Sequence, residues 1–287
     1  MQFVPGMTRL LAGWLFVSCS AVCVGQSPAN LLGLPPKAIS NQGSLVICGG
    51  KPDDPIFDEF VKLAGGRNAR IVLVPSAYPY DGPEHLARAF GGWRSYGLES
   101  FTFLDAESRV EADAKEFCEP LERATGVWFS GGDQARLMRL YGGTKAETAF
   151  RKVFERGGTI GGTSAGAAVM SRVMIADGSR HEAVLDRGLG FVTRAVVDQH
   201  FSERGRFGRL FRVLDEYPEL VGIGIDEPAA LVVQGNSMRV IGEGRVSICL
   251  PQDSAATIVV HRLKPNEQAD LRFDANHSPR LTLRRSE

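Results

Sequence analysis

The stretch that most constrains the fold is TIGGTSAGAAVM at Thr159 to Met170, where an apolar segment changes into a run of small residues. Within it, Gly162 to Gly166 has the pattern G-x-S-x-G. This pattern is typical of a sharp strand-to-helix turn that exposes the serine hydroxyl at the edge of a sheet. The backbone N–H of the residue after the serine, and the N-terminus of the following helix, would face a negative charge that develops on a substrate carbonyl oxygen. Ser164 is therefore predicted to be a nucleophile.

A glycine-rich helix start also has simpler interpretations, either close packing or a phosphate-binding loop. A Walker loop needs Gly-Lys followed by Ser or Thr, and a dinucleotide loop needs G-x-G-x-x-G with an acidic residue further on. Neither pattern occurs in this stretch. Plain packing stays open on the pentapeptide alone, because small-residue patterns recur by chance.

The segments before the serine turn alternate between apolar strands and amphipathic helices. Such alternation predicts parallel βαβ units in one α/β domain. Gly49 to Pro52 follow the first strand, at the carboxyl edge where open α/β sheets collect their sites. The predicted strands are Ser44 to Cys48, Ala69 to Pro75, Leu98 to Leu104 and Gly126 to Phe129, and the predicted helices are Pro55 to Leu63, Glu84 to Tyr96, Arg109 to Ala124, Ala135 to Tyr141 and Lys145 to Arg156.

The chain after the serine turn is less regular, and strands dominate it. We expect the folded domain to span residues 44–263 and the polar residues 264–287 to form a loose tail. Three consecutive strands, Ala229 to Gln234, Ser237 to Ile241 and Val246 to Leu250, are predicted to form a meander. The other strands predicted here are Ala195 to Asp198, Val221 to Ile225 and Ala256 to Leu263.

Charge and cysteine content argue against several classes of function. The 33 basic and 33 acidic residues cancel, so no global field draws the protein to nucleic acid or to an anionic membrane. The sequence has neither CxxC nor HExxH, and its five histidines lack metal-ligand spacing, so we expect no metal and no cofactor. Cys48, Cys118 and Cys249 are too widely spaced for a disulfide framework, and we expect buried free thiols.

The N-terminal residues have the organisation of a secretory signal peptide. Arg9 precedes the uncharged apolar run Leu10 to Val24, and a small, polar stretch follows. We assign residues 1–25 to the signal and 26–43 to a linker, which predicts a secreted protein, periplasmic or extracellular. The run is short for a membrane span, so no stable membrane insertion is expected. Lipidation at Cys19 or Cys23 and an uncleaved anchor stay open as alternatives.

A serine nucleophile needs a base and a group that orients that base. His200 ends an apolar strand and would project at the same sheet edge as Ser164. Asp226 and Glu227 end another strand, and at most one of them can face the site, because neighbours on a strand point to opposite faces. The order Ser, His, acid differs from the order in α/β-hydrolases, which argues against a lipase or esterase.

Four blocks together closely resemble cyanophycinases and their relatives in peptidase family S51, which includes aspartyl dipeptidase. The resemblance spans roughly residues 44–250. The arginine-bearing block is far more specific than the serine pentapeptide. The blocks are SGGDQ at 130–134, GGTSAGAAVM at 161–170, DQHFSERGRFGRL at 198–210 and GIGIDEPAAL at 222–231.

The resemblance implies a fold and a set of roles. The fold would be an α/β three-layer sandwich with a mostly parallel central sheet, similar to class I glutamine amidotransferases and flavodoxin-like. The protein would be a homodimer that uses no metal. The implied residues are Ser164 as nucleophile, His200 as base, Glu227 as orienting acid, Gly132 and Ala165 as oxyanion donors, and Gln134, Asp198, Arg206 and Arg209 as substrate ligands.

The resemblance also implies a substrate, cyanophycin, which is polyaspartate with arginine joined to each side-chain carboxyl. Arg206 and Arg209 would take its carboxylates and Asp198 its guanidinium groups. The expected reaction is hydrolysis to β-Asp-Arg dipeptides through an acyl-enzyme. Two alternatives stay open: an exported aspartyl or isoaspartyl dipeptidase, and a secreted binding protein that has lost its activity.

Overall fold

The computed structural model describes residues 43–252, 257–274 and 278–284. The predicted signal at residues 1–25 and nearly all of the linker at 26–43 lie outside the described residues. In the part of the chain that is described, no helix has both the length and the apolar character needed to cross a membrane.

The described strands form one large sheet, one small sheet and one hairpin. The strands are β1 Ser44–Cys48, β2 Arg70–Val74, β3 Ser100–Phe103, β4 Gly126–Phe129, β5 Thr159–Thr163, β6 Val173–Gly178, β7 Ala183–Arg187, β8 Ala195–Gln199, β9 Val221–Ile225, β10 Ala229–Gln234, β11 Ser237–Gly242, β12 Val246–Pro251, β13 Ile258–Leu263, β14 Gln268–Phe273 and β15 Pro279–Arg284. The nine-stranded sheet has the order β15-β14-β11-β10-β1-β5-β4-β2-β3, the four-stranded sheet has the order β13-β12-β9-β8, and β6 pairs with β7.

Helices cover both faces of the large sheet, as its alternating side chains require. Along β1, Leu45 and Ile47 join one apolar cluster, whereas Val46 and Cys48 join the cluster on the opposite face. The predicted α/β three-layer fold is therefore confirmed. The helices are α1 Asp54–Leu63, α2 Gly82–Ala89, α3 Arg109–Ala112, α4 Lys115–Arg123, α5 Gln134–Tyr141, α6 Lys145–Glu155, α7 Ala165–Ala168 and α8 Phe207–Glu216, with 3₁₀ segments at Gly66–Asn68 and Gly91–Tyr96.

The parallel part of the large sheet consists of β1, β5, β4, β2 and β3, as the βαβ pattern predicts. An antiparallel part continues from β1 through β10, β11, β14 and β15. The carboxyl ends of β1, β4 and β5 therefore meet at one edge. The serine turn leaves the sheet at this edge.

Two sequence predictions about the second half of the chain are wrong. The residues beyond Lys264 are not a loose tail, because β14 and β15 form a hairpin that extends the large sheet. Leu271 and Leu281 pack against the core, while Asp270 binds Arg284 across the strands with an oxygen–nitrogen distance of 2.6 Å. The alternation that defines this hairpin is masked by its many charged residues.

The third strand of the predicted meander also belongs elsewhere. β10 and β11 pair as expected, but β12 pairs with β9 and β13 in the small sheet. The hairpin of β6 and β7 was not predicted at all, since its second strand is mostly exposed and carries charges. The small sheet places the end of β8 beside the serine turn, where His200 contacts Ser164.

Candidate active site

The serine turn has the geometry that its glycines predict. Ser164 lies between β5 and α7 with φ 53° and ψ −111°, a region that side chains rarely adopt. A Cβ atom on Gly166 would lie 2.2 Å from the carbonyl oxygen of Phe129, and one on Gly162 would lie 2.6 Å from the carbonyl oxygen of Gly166. Both glycines are therefore required for the turn to pack against β4.

His200 follows β8 and reaches the serine directly. Its Nε2 lies 2.7 Å from the Oγ of Ser164. The backbone at His200 has φ 47°, and its N–H donates to the carbonyl oxygen of Gly49 at 2.9 Å. A Cβ on Gly50 would lie 2.3 Å from the imidazole Cε1, so the loop after β1 forms a wall against the ring.

Glu227 lies on the other side of the imidazole. Its Oε1 contacts the Nδ1 of His200. The neighbouring Asp226 points elsewhere, and its Oδ1 accepts a hydrogen bond from the backbone N–H of Ser202 at 3.0 Å. The structure thus brings Ser164, His200 and Glu227 into one continuous chain of contacts. It also separates the two adjacent carboxylates, which lie in the turn after β9.

Lys51 was not predicted, although the sequence carried a signal for it. Its Nζ lies 2.7 Å from Oε2 of Glu227, the oxygen that faces away from the histidine. The Lys51 side chain is 80% exposed. It lies in the segment Gly49 to Pro52 at the carboxyl end of β1, where a site was expected. The sequence shows that a lysine lies at this strand end, but it does not show that the lysine contacts Glu227.

The surroundings lower the pKa of both titratable partners. Burial lowers the pKa of His200, Glu227 opposes this effect, and the nearby Arg204 lowers the pKa further. The hydrogen bond from Lys51 is the main cause of the lowered pKa of Glu227, and His200 adds to it. The imidazole is therefore neutral and the carboxylate ionised near pH 7, which are the states that proton acceptance from a serine needs.

The predicted oxyanion donors flank the serine. Ala165 is the first residue of α7, so its N–H has no acceptor within the helix. Gly132 has φ 143°, and a Cβ there would lie 2.3 Å from the carbonyl oxygen of Ala77. A Cβ on the preceding Gly131 would lie 3.4 Å from the Cβ of Ser164. This loop can therefore approach the serine because it carries no side chains.

In the arginine-bearing segment, Asp198 and Arg209 do not have the free, substrate-facing positions that the family resemblance implies. Nε of Arg209 donates to Oδ2 of Asp198 at 2.7 Å, and a second guanidinium nitrogen contacts Oδ1. Asp198 and Arg209 are only 1% and 3% exposed. They bind each other rather than facing a substrate, because α8 packs against the small sheet. Charge pairing of this kind within the fold cannot be read from the sequence.

Arg206 is also buried and held by the protein. One guanidinium nitrogen donates to the carbonyl oxygen of Gln199 at 2.6 Å and to its side-chain oxygen at 2.5 Å. The same nitrogen lies 3.6 Å from Asp198. Burial lowers the pKa of Arg206 to about 10. Arg206 thus shares an electrostatic network with Asp198, and only part of its guanidinium is open to a ligand.

Gln134 begins α5 and connects two elements. Its Nε2 donates to the carbonyl oxygens of Ile175 and Ala176 in β6, at 3.0 Å and 2.9 Å. The amide nitrogen is therefore used to fix the β6–β7 hairpin beside the site.

The described residues hold no group of three or more His, Cys, Asp or Glu side chains that could bind a metal ion. Cys48, Cys118 and Cys249 are free, and Cys48 and Cys249 are buried. Burial raises the pKa of the Cys48 thiol to about 11, which makes it a poor nucleophile.

Comparison with known proteins places this geometry in context. The sequence model of Peptidase family S51 matches residues 45–241. A cyanophycinase from Synechococcus elongatus is 35% identical over 234 residues, which cover 77% of this chain and 72% of the relative. A cyanophycinase from Geminocystis herdmanii is 37% identical over 220 residues, which cover 72% and 80%. The crystal structure of a peptidase from an acI-B1 Actinobacterium shares the fold, with a TM-score of 0.60 and 23% identity over 79% of this chain and 96% of that one.

Proposed function

Because this chain belongs to peptidase family S51 and is a cyanophycinase-like serine-type peptidase, we propose that it hydrolyses cyanophycin to β-Asp-Arg dipeptides. The observation that carries the proposal is the contact chain from Ser164 through His200 to Glu227. It supplies a nucleophile, a base and an orienting acid at the edge of a rigid sheet. The cyanophycinase relatives supply the substrate class.

In the proposed mechanism, the Oγ of Ser164 attacks the carbonyl carbon of an α-peptide bond in the polyaspartate backbone. Nε2 of His200 accepts the hydroxyl proton, and Glu227 stabilises the resulting imidazolium. The amides of Gly132 and Ala165 bind the oxyanion. Collapse of the intermediate breaks the C–N bond, and the leaving amine takes the proton from His200, which leaves an ester on the serine.

Water completes the cycle. His200 removes a proton from the water, whose oxygen attacks the ester carbonyl and displaces the serine oxygen. The proton returns to Oγ of Ser164, and the product leaves as a carboxylic acid. Lys51 acts as a positioning residue in this scheme, since it binds the carboxylate oxygen of Glu227 that the imidazole does not use.

The test is incubation of the purified protein with insoluble cyanophycin and identification of the products by mass spectrometry. We expect β-Asp-Arg to be released by the wild-type protein and not by Ser164→Ala. The same preparations are assayed on free Asp-X and isoaspartyl dipeptides. Cleavage of those dipeptides without release of β-Asp-Arg would replace the polymer with a dipeptide substrate.

Export and dimerisation are part of the same proposal. Residues 1–25 direct secretion, so the enzyme would digest polymer outside the cell that makes it. N-terminal sequencing of protein from a culture medium or periplasm tests this, and a retained Met1 in an intracellular fraction would contradict it.

Sedimentation equilibrium tests the homodimer, and a mass near the 31.1 kDa of one chain would contradict it.

A further inference from the structure

A cavity of about 540 Å³ opens beside the serine turn, on the sheet face that α1 covers. Thr163 and Gly131 line it. Thr163 immediately precedes Ser164, and a Cβ on Gly131 would lie 3.4 Å from the serine Cβ. A side chain of a residue attached to Ser164 can therefore enter this cavity. The proposed mechanism leaves the cavity without a role.

Six aromatic side chains line the cavity. Trp93 and Trp128 are almost completely buried, so the surrounding core fixes their rings. Phe57 packs on both, with ring centroids 5.0 Å and 5.1 Å apart. Aromatic faces attract cations through their quadrupole, and a planar guanidinium can also stack on them. The aromatic residues that line the cavity are Phe57, Tyr80, Phe90, Trp93, Tyr96 and Trp128.

The charge that lines the cavity is negative. Asp54, in the first turn of α1, is the only charged side chain among the described residues that line it. Neither Asp54 nor Asp58, one turn further on, forms a salt bridge with another described residue. Burial, followed by these two carboxylates, raises the pKa of the Tyr96 hydroxyl to about 12. Asp58 accepts a hydrogen bond from the Tyr96 hydroxyl, which leaves the Asp54 carboxylate available to a ligand.

We propose that this cavity, here called the aromatic subsite, binds the guanidinium group of the substrate residue next to the cleaved bond. The rings of Phe57, Trp93 and Trp128 contact the cation, and Asp54 pairs with it at the rim. The inference deepens the proposed function and rests on it, because it takes the substrate to be arginine-bearing. It also supplies a guanidinium site where Asp198 cannot, since Arg209 occupies that carboxylate.

The test compares two ligands of nearly the same shape and different charge. β-Asp-Arg and β-Asp-citrulline lack the backbone α-peptide bond between aspartates, so the enzyme does not consume them. Isothermal titration of the full chain measures their dissociation constants. We expect the wild-type protein to bind the arginine dipeptide about tenfold or more tightly than its neutral analogue.

Two variants remove the two proposed contributions. Asp54→Asn should reduce the charge preference about threefold to tenfold, and Phe57→Leu about threefold, because the first removes an ion pair and the second a cation–π face. The matched controls are Asp215→Asn and Phe211→Leu, which make the same changes on α8, away from the cavity. Both controls should keep the wild-type preference.

The outcomes separate this inference from the proposed function. A reduced preference in Asp54→Asn and Phe57→Leu, with normal controls, supports the subsite even if cyanophycin is not hydrolysed. A wild-type protein without preference for arginine, or a preference that both variants retain, overturns the subsite. If cyanophycin is nevertheless degraded in that case, the proposed function stands alone.

Discussion

Replacement of Gly50 by alanine is expected to abolish turnover in a protein that still folds. The Cβ of the new residue would lie 2.3 Å from Cε1 and 2.5 Å from Nδ1 of His200, distances that non-bonded atoms do not adopt. The imidazole can move more easily than the backbone at Gly50, because only side-chain contacts with Ser164 and Glu227 hold the ring. We therefore expect the ring to move and the 2.7 Å contact with the serine oxygen to break.

The Gly50→Ala variant is expected to lose much activity and little stability. A positioned general base contributes roughly 10²-fold to 10⁴-fold to a rate, so the variant should lose at least about 100-fold in kcat/KM. The backbone at Gly50 has φ 152°, and a side chain in such a region costs about 1–3 kcal/mol. For a protein of this size that corresponds to a fall in Tm of roughly 2 to 12 °C.

The assay is release of β-Asp-Arg from cyanophycin, with Tm measured on the same samples. Gly91→Ala is the matched control, since a Cβ on Gly91 would meet nothing within 4 Å. It should keep wild-type activity. Turnover by Gly50→Ala within about threefold of wild type would refute the proposed packing of the loop on the imidazole.

Three further changes test the electrostatics. The neutral form of His200 is the active one, so its lowered pKa predicts an acid limb of kcat/KM below about pH 6.5. Arg204→Gln removes a charge that lowers this pKa and should shift the limb to higher pH. Lys51→Met should lower kcat roughly twofold to fivefold, with recovery in Lys51→Arg, because Glu227 loses an orienting contact. Asp198→Asn should destabilise the fold by about 3–5 kcal/mol, because it leaves a guanidinium buried without its counter-ion.

Each of these has a clear contrary result. An unshifted acid limb in Arg204→Gln would show that this cation does not act on His200. Equal kcat values for Lys51→Met and wild type would remove Lys51 from the positioning of Glu227. A wild-type urea midpoint for Asp198→Asn would mean that the buried pair contributes no net stability.

The serine turn was predictable because its geometry admits few residues. Gly162 and Gly166 have neighbours within 2.6 Å and 2.2 Å of a potential Cβ, so sequence pattern and backbone geometry are tightly linked. The parallel strands were predictable for a similar reason. The apolar runs of β1, β2 and β4 are almost completely buried, and few other structures accommodate such runs.

The pairing of polar groups was not predictable in the same way. The family resemblance implies that Asp198 and Arg209 bind substrate, but a sequence does not show whether the fold itself neutralises their charges. Lys51 was missed because its contact with Glu227 joins residues 176 positions apart. The β14–β15 hairpin was missed because two of the six residues in each strand are charged, which obscures the apolar alternation.

The central claim is that His200 activates Ser164, and serine-directed labelling tests it most directly. The protein is treated with a fluorophosphonate, and the adduct is located by peptide mass mapping while its rate of formation is measured. The account predicts an adduct on Ser164 that forms at least about 100-fold more slowly in His200→Ala. An adduct on another serine, or an equal rate in His200→Ala, would contradict it.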